Sequence, residues 1–242
     1  MSDKESVSVL IPTLNEAGNI SDLLKRTINS LDSINIDYEI LVIDDASPDN
    51  TADIAEKVLG QNGRVIRRKT DNKSLSHSVI DGIKQAKGDI ILVMDGDGSH
   101  PPELIPSFIA GLYAGYDLII GSRYVKGGST LNFPLTRKII SHFACFIGKS
   151  VTGVKDNTSG FFCIRKKALE DAKLTPIGFK IGLEVFVKAD IHSFKEIPYT
   201  FANRKKGESK LNLKPILEYL YQVLSLLFYK RLKLKYALNK NI

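Results

Sequence analysis

From Val7 to Ile120 short aliphatic runs alternate with segments of helical periodicity, and few folds accommodate that alternation. Val7 to Ile11, Glu39 to Ile43, Arg64 to Arg67, Asp89 to Met94 and Leu118 to Ile120 read as strands. Helices are expected between them, from about Ala17 to Leu31, Thr51 to Leu59, Ser74 to Ala86 and Pro102 to Ala114. Repeated strand, helix, strand is the signature of a mostly parallel α/β sheet covered by helices on both faces. The second half is less regular. Gly121 to Phe133 reads as a Gly- and Ser-rich loop, Leu135 to Val151 as a helix, and Gly160 to Ile164 and Phe194 to Ile197 as strands. A helical stretch is expected near Leu183 to Ala189.

In such sheets ligands bind beyond the carboxyl ends of the strands, where the loops gather. Three strands run into loops rich in functional residue types: Pro12-Thr13-Leu14-Asn15-Glu16, Asp44-Asp45-Ala46-Ser47-Pro48-Asp49 and Asp95-Gly96-Asp97-Gly98. All three are expected to meet on one edge. Asp95 and Asp97 stand at i and i+2, so their side chains point the same way, and Gly96 lets the backbone turn tightly between them. Two like charges that close repel each other unless a cation lies between them. Hard oxygen ligands without His or Cys nearby suit Mg²⁺ or Mn²⁺, which proteins hold by one or two carboxylates plus substrate phosphates. Taken alone, the pair is better explained as a polar turn closing a strand.

Other residues add to the pattern without deciding it. Asp44, Asp45 and Ser47 are placed to accept hydrogen bonds from a ribose or base edge, although Asp45 and Ser47 would serve equally as caps or Asx-turn residues before the next helix. Glu16 fits either a first helical turn or a ligand contact. Neither a Gly-x-Gly-x-x-Gly fingerprint nor a Walker A lysine loop is present, which disfavours a dinucleotide cofactor and P-loop chemistry. Arg123, Arg137, Arg204 and Lys210 sit in settings suited to phosphate groups; for each alone, plain surface solvation is the simpler reading. The four histidines are scattered and support no Ser/His/Asp triad, and His100 beside Pro101 is expected to pack or cap. Cys145 and Cys163 lack metal-ligand spacing and are expected to be reduced, packed thiols.

The net charge of +7 is uneven, with Arg204, Lys205, Lys206, Lys210, Lys214, Lys230, Arg231, Lys233, Lys235 and Lys240 crowding the C-terminal end. Something anionic is expected there. Pro215 to Tyr229 is a largely apolar run with Tyr219, Tyr221 and Tyr229 in it and basic residues at its end. As a helix it rises about 22 Å, short of the roughly 20 residues needed to cross a bilayer. It is expected to lie on a membrane surface or against a partner; the competing reading is a buried core helix. Nucleic acid is not an expected partner, because no reading module accompanies the charge. No opening segment reads as a signal peptide, so the chain is expected to begin in the cytosol. With no repeat or low-complexity linker, the simplest division is a catalytic domain over 1–211 and a basic amphipathic helix over 212–242.

Six motifs occur in the order found in family 2 inverting glycosyltransferases: Val7 to Glu16, Asp44 to Asp49, Asp95 to Glu103, Gly121-Ser122-Arg123-Tyr124, Thr158-Ser159-Gly160-Phe161 and Arg204 to Leu211. Within that family the chain most resembles dolichyl-phosphate (polyprenyl-phosphate) mannose synthases. The resemblance implies a GT-A fold, a Rossmann-like and mostly parallel sheet flanked by helices. It implies that Pro12, Asn15, Glu16, Asp44, Asp45, Ser47 and Asp95 bind a nucleotide sugar and that Asp95 and Asp97 bind a divalent metal on its diphosphate. Arg123, Arg137, Arg204 and Lys210 match basic positions holding donor and lipid phosphates, and with Asp97 they form the implied catalytic set. Many relatives have Gln where this chain has Ser99, as a third side-chain ligand to the metal; Gly96 and Gly98 also depart from the usual Ala and Leu.

The expected activity is therefore transfer of a hexose, mannose from GDP-mannose first of all, to a polyprenyl (dolichyl-type) phosphate. The reaction is expected to depend on Mg²⁺ or Mn²⁺, to invert the anomeric carbon, and to take place at the cytoplasmic face of a membrane with the enzyme peripheral to it. A lipid monophosphate is already an anionic nucleophile, so it needs charge neutralisation and aim more than a base. Two alternatives stand beside it: a UDP-glucose-dependent polyprenyl-phosphate glucosyltransferase, and a non-catalytic nucleotide-sugar-binding subunit docked on a membrane complex. A small membrane subunit is a further partner that the resemblance suggests.

Overall fold

The structure is a computed structural model and describes residues 5–69, 73–131, 133–178, 180–201 and 213–240. In chain order the elements are β1 (Val7–Thr13), α1 (Ile20–Asp32), β2 (Tyr38–Asp44), α2 (Thr51–Leu59), β3 (Gly63–Arg67), α3 (Leu75–Gln85), β4 (Ile90–Val93) and α4 (Ile105–Tyr113). There follow β5 (Leu118–Ser122), β6 (Ser129–Thr130), α5 (Leu135–Thr152), β7 (Phe162–Arg165), α6 (Ile181–Lys188), β8 (Phe194–Pro198), β9 (Thr200–Phe201) and α7 (Leu213–Lys240).

Seven strands form one sheet in the order β3-β2-β1-β4-β7-β5-β8. β1 pairs in parallel with β2 and β4, β2 with β3, and β5 with β8; β7 runs antiparallel between β4 and β5. Periodicity reveals that Phe162–Arg165 is a strand but not which way it runs. Its direction follows from the path before it: after β5 the backbone stays at the carboxyl edge, where the Arg123 N–H meets Asp156, so β7 enters the sheet from that edge. The loop expected over 121–133 also contains β6, which pairs with β9 as a separate two-stranded ribbon.

Side-chain alternation divides the core into two layers. Val9, Ile11, Ile40, Val42 and Leu92 pack with Leu23, Leu24, Phe108 and Ile109 of α1 and α4. Leu10, Leu41, Ile43, Ile91 and Val93 face the other way, against Val79 of α3 and Ile181 and Val185 of α6. Burial on both faces is what makes these strands read as unbroken aliphatic runs. The strand order reverses between β1 and β4, since β2 and β3 follow β1 on one side while β4 lies on the other. A crevice opens at such a switch point, and Asp95 and Asp97 follow β4 directly.

The C-terminal helix α7 is longer than the expected Pro215 to Tyr229, because the Lys- and Arg-rich stretch beyond it continues the helix. One face is buried: Tyr219, Val223 and Leu226 pack with Val151 of α5 and Leu183 of α6. Each such side chain contributes about 1.5–3 kcal/mol relative to exposure. The opposite face leaves Leu217, Tyr221, Leu224, Phe228 and Leu232 exposed, and neighbouring α5 exposes Leu135, Ile139, Phe143 and Phe146, the last at 77%. The inward face thus packs as the core-helix reading expects, while the outward face is left exposed. Among the described residues no helix is long and apolar enough to cross a membrane.

Candidate active site

The three loops converge at the carboxyl edge of the sheet. Pro12, Leu14, Glu16, Asp45, Ser78, Asp95 and Asp97 line one open cavity of about 280 Å³. Asn15, Asp44 and Ser47 are not among its lining residues, and they build its wall instead. Asp44 accepts hydrogen bonds from Thr13 Oγ1 (3.0 Å), the Ser47 N–H (2.9 Å) and Ser47 Oγ (2.6 Å), and Ser47 Oγ accepts from the Asn15 N–H (2.9 Å). Asn15 takes a left-handed φ of 61° that bends the chain out of β1. The N-cap position of α2 is Asn50, whose side chain makes no capping hydrogen bond, and the Asp49 carboxylate before it accepts from the N–H (3.1 Å) and Oγ1 (2.5 Å) of Thr51, so neither Asp45 nor Ser47 is the cap. Asp45 is buried in an ion pair with Arg68, which also donates to Asp81 (2.9 Å). Glu16 precedes α1, and its Oε2 accepts from Asn19 Nδ2 at 2.7 Å.

The Asp95–Asp97 turn is held on both sides. The Asp95 N–H donates to His100 Nδ1 at 3.0 Å, and the Ser99 N–H donates to Asp97 Oδ1 at 3.0 Å. His100 is buried and stacks on Phe161 with ring centroids 5.0 Å apart; burial pushes its pKa down, so the imidazole is neutral and supports the turn. A Cβ on Gly96 would come within 2.8 Å of Thr13 Cγ2 and 3.1 Å of the Pro12 carbonyl oxygen, and Gly98 has φ of 76°. Glycine at both positions lets this turn lie flat against the end of β1.

A second cavity of about 230 Å³ opens on the other side of the Asp pair, lined among others by Asp95, Asp97, Arg123, Arg137, Lys180 and Tyr199. Arg123 is 9% exposed; its Nε and Nη2 grip Asp156 at 2.8 and 2.6 Å, and Nη2 also reaches Thr158 Oγ1 at 2.8 Å. Burial opposes the charge of both partners, but the paired contact outweighs it, raising the pKa of Arg123 and lowering that of Asp156. Arg137 projects from α5 and stacks on Phe133, 3.9 Å from the ring centroid. Arg204 and Lys210 lie outside the described residues. Cys145 and Cys163 are both free and buried, as expected of packed thiols.

The donor set at the Asp pair fits a hard divalent cation. Two carboxylates face one crevice, and Ser99 Oγ is buried beside them without a hydrogen-bond partner. Among the described residues no group of three or more His, Cys, Asp or Glu side chains is arranged to hold a metal ion, so substrate oxygens would have to complete the coordination. Asp156, Lys180, Tyr199 and Arg68 are parts of this site that the sequence reading did not single out. Lys180 and Asp156 lacked a motif of their own, and only tertiary proximity reveals them.

Residues 8–172 match the family described as Glycosyl transferase family 2. The chain belongs to that family. It is 45% identical over 225 residues to a dolichol-phosphate mannosyltransferase of Pyrococcus furiosus, a match covering 91% of this chain and 63% of that protein. Fungal proteins of the same name are similar over more of their length: that of Mycosarcoma maydis is 35% identical, covering 93% of this chain and 80% of its own, and that of Saccharomyces cerevisiae is 34% identical, covering 92% and 87%. Among solved structures, glucosyl-3-phosphoglycerate synthase from Mycobacterium tuberculosis shares the fold. Its complex with Mn²⁺, UDP and glucosyl-3-phosphoglycerate superimposes with a TM-score of 0.65 at 18% identity, covering 93% of this chain and 79% of that one. Its complex with Mg²⁺ and UDP gives 0.66 at 19%, with the same coverage. The fold is GT-A, and this member of a glycosyltransferase family is an enzyme by that membership.

Proposed function

We propose that this chain transfers mannose from GDP-mannose to a polyprenyl phosphate of the dolichyl type, with inversion at the anomeric carbon. The observation that carries the reading is the position of Asp95 and Asp97 between two cavities of different character: one edged by Pro12, Glu16 and Asp45, the other by Arg123, Arg137 and Lys180. Nucleoside fits the first and anionic acceptor the second, with the sugar between them. The relatives' name, dolichol-phosphate mannosyltransferase, supports mannose as the sugar and a dolichol-type phosphate as the acceptor.

Asp95 and Asp97, with Ser99 Oγ, would hold Mg²⁺ or Mn²⁺ together with diphosphate oxygens. Such a cation supplies Lewis-acid stabilisation of the charge that grows on the departing nucleoside diphosphate. The protein's own residues do the rest. Glu16 and Asp45 accept hydrogen bonds from the nucleoside, Asp45 being held by Arg68. Arg123 and Arg137 draw in the lipid phosphate, partly neutralise it and aim one oxygen at the anomeric carbon, opposite the leaving group. Arg204 and Lys210 are proposed to add to this cationic wall. A single displacement of that geometry inverts the carbon.

The exposed apolar residues of α5 and α7 support a peripheral position on an anionic membrane surface, with Lys138, Lys149, Arg231 and Lys233 exposed on the same two helices. The cytoplasmic face, and any small membrane subunit, belong to this proposal as well. The test is mass analysis of the lipid product made from a panel of nucleotide sugars by the wild-type chain and by Asp97→Ala. Hexosyl lipid from GDP-mannose, lost by at least about a hundredfold in the variant, is expected. Product from UDP-glucose alone, or undiminished transfer by Asp97→Ala with the same metal dependence, would overturn the assignment.

A further inference from the structure

Lys180 stands immediately before α6, and its Nζ donates to the Thr158 carbonyl oxygen at 3.0 Å on the wall of the cationic cavity. Lys180 is half-buried, and an ammonium drawn partly out of water is sustained only where opposite charge and hydrogen bonds are at hand. Burial, with Arg123 nearby, lowers its pKa to about 8 against the pull of Asp95 and Asp156, so it remains charged at neutral pH. We propose that Lys180 is a further contact for the phosphate of the acceptor, and that Gln222 of α7 is the residue that positions it. This rests on reading the cavity as the acceptor site.

Charge balance supports the first half. Asp95, Asp97 and the Asp156 that grips Arg123 supply three negative charges; Arg123, Arg137 and Lys180 supply three positive ones. The charge of a divalent cation on the Asp pair is taken up by the donor diphosphate it would hold, so the acceptor phosphate, roughly −1.5 to −2 at neutral pH, depends on the protein's own cations. Without Lys180 the carboxylates outnumber the cations there, and an anionic acceptor would meet net repulsion. Its placement points to the acceptor rather than the nucleoside, because Lys180 lines the cationic cavity and not the one edged by Pro12, Glu16 and Asp45.

The second half follows from what holds the backbone at Lys180. Its carbonyl oxygen accepts from Gln222 Nε2 at 3.3 Å and from the Leu183 N–H at 3.1 Å. Gln222 is 2% exposed on the inward face of α7. One turn earlier, Tyr219 Oη donates to the Ala144 carbonyl at 2.6 Å and lies 3.3 Å from Oδ1 of Asn157, another cavity residue. The helix whose outer face is proposed to lie on lipid therefore grips the wall of the cavity with its inner face.

The experiment measures binding of farnesyl phosphate and of GDP by calorimetry, alongside acceptor and donor KM, in the full chain carrying Lys180→Met, Lys180→Cys before and after aminoethylation, or Gln222→Met. Lys180→Met is expected to weaken farnesyl phosphate about tenfold to a hundredfold, the loss of one charge-assisted contact, while leaving GDP within about twofold. Aminoethylated Lys180→Cys, which restores an ammonium at nearly the same reach, is expected to recover most of that affinity. Gln222→Met is expected to raise the acceptor KM about threefold to tenfold, with donor KM unmoved, since one neutral hydrogen bond is lost. Unchanged farnesyl phosphate affinity in Lys180→Met, an equal loss of GDP, or no recovery on aminoethylation overturns the role of Lys180; an unmoved acceptor KM in Gln222→Met overturns the positioning role. Failure of the wild-type chain to bind farnesyl phosphate at all overturns the functional reading itself, and is a distinct outcome.

Discussion

Replacing Asp156 by Asn tests how the cationic cavity is held open. Asp156 is fully buried and takes three hydrogen bonds from Arg123, two of them from the guanidinium at 2.6 and 2.8 Å and one from the backbone N–H at 2.8 Å. Asparagine keeps one oxygen acceptor but turns an NH₂ group towards a donor and strands the Arg123 charge in a buried site. Breaking a buried pair from one side costs about 3–5 kcal/mol. For a chain of this size each kcal/mol lowers Tm by about 2–4 °C, so a drop of roughly 6–20 °C is expected by scanning fluorimetry, with a matching shift in urea midpoint. The pH dependence has a definite sign. Because Arg123 holds the Asp156 pKa below its unfolded value near 3.9, its contribution is present above that pH and lost as pH falls through the folded value. The difference between wild type and variant should therefore be flat from about pH 5 to 8 and shrink only below about 4. Arg123→Met combined with Asp156→Leu should regain most of the stability, since no charge remains unpaired, yet stay inactive. A Tm drop under about 3 °C, with acceptor KM unchanged, would refute the view that this pair shapes the site.

Two further outcomes can be checked directly. Gly96→Ala forces a methyl to within 2.8 Å of Thr13 Cγ2, so a loss of about 1–3 kcal/mol in urea unfolding is expected together with weaker Mn²⁺ binding in the presence of GDP; no change in either measurement would contradict the packing argument. Phe143→Glu, Phe146→Glu and Leu224→Glu change exposed side chains and should shift stability by no more than about 0.5 kcal/mol, while recovery of the full chain on anionic vesicles in flotation should fall sharply; undiminished recovery would remove the membrane role of this face.

Most of the fold was legible because aliphatic runs buried on both faces and 3.6-residue periods are local signals. The expected element boundaries lie within a few residues of those observed through β5, and the loops carrying Pro12, Asp45 and Asp95 were legible as neighbours because βαβ units send every parallel strand the same way. Strand direction was not legible for β7, a short and largely buried run like β4 and β5 beside it, which runs against both.

The chain's own pattern determined a doubly covered α/β sheet, the edge at which ligands gather, and the Asp95–Asp97 pair suited to a hard cation. Tertiary structure alone decided which polar residues face the cavities and which are consumed in building them: Asp44 and Ser47 close a loop, Asp156 is spent on Arg123, and Lys180, from a stretch without any motif, arrives beside Asp95. It also divided α7 into an inward face that grips the cavity wall through Tyr219 and Gln222 and an outward apolar one. The physical reason is range. Periodicity and turn chemistry act over a few residues, whereas the partner that satisfies a buried charge or carbonyl stands 33 residues away for Arg123 and 42 for Lys180.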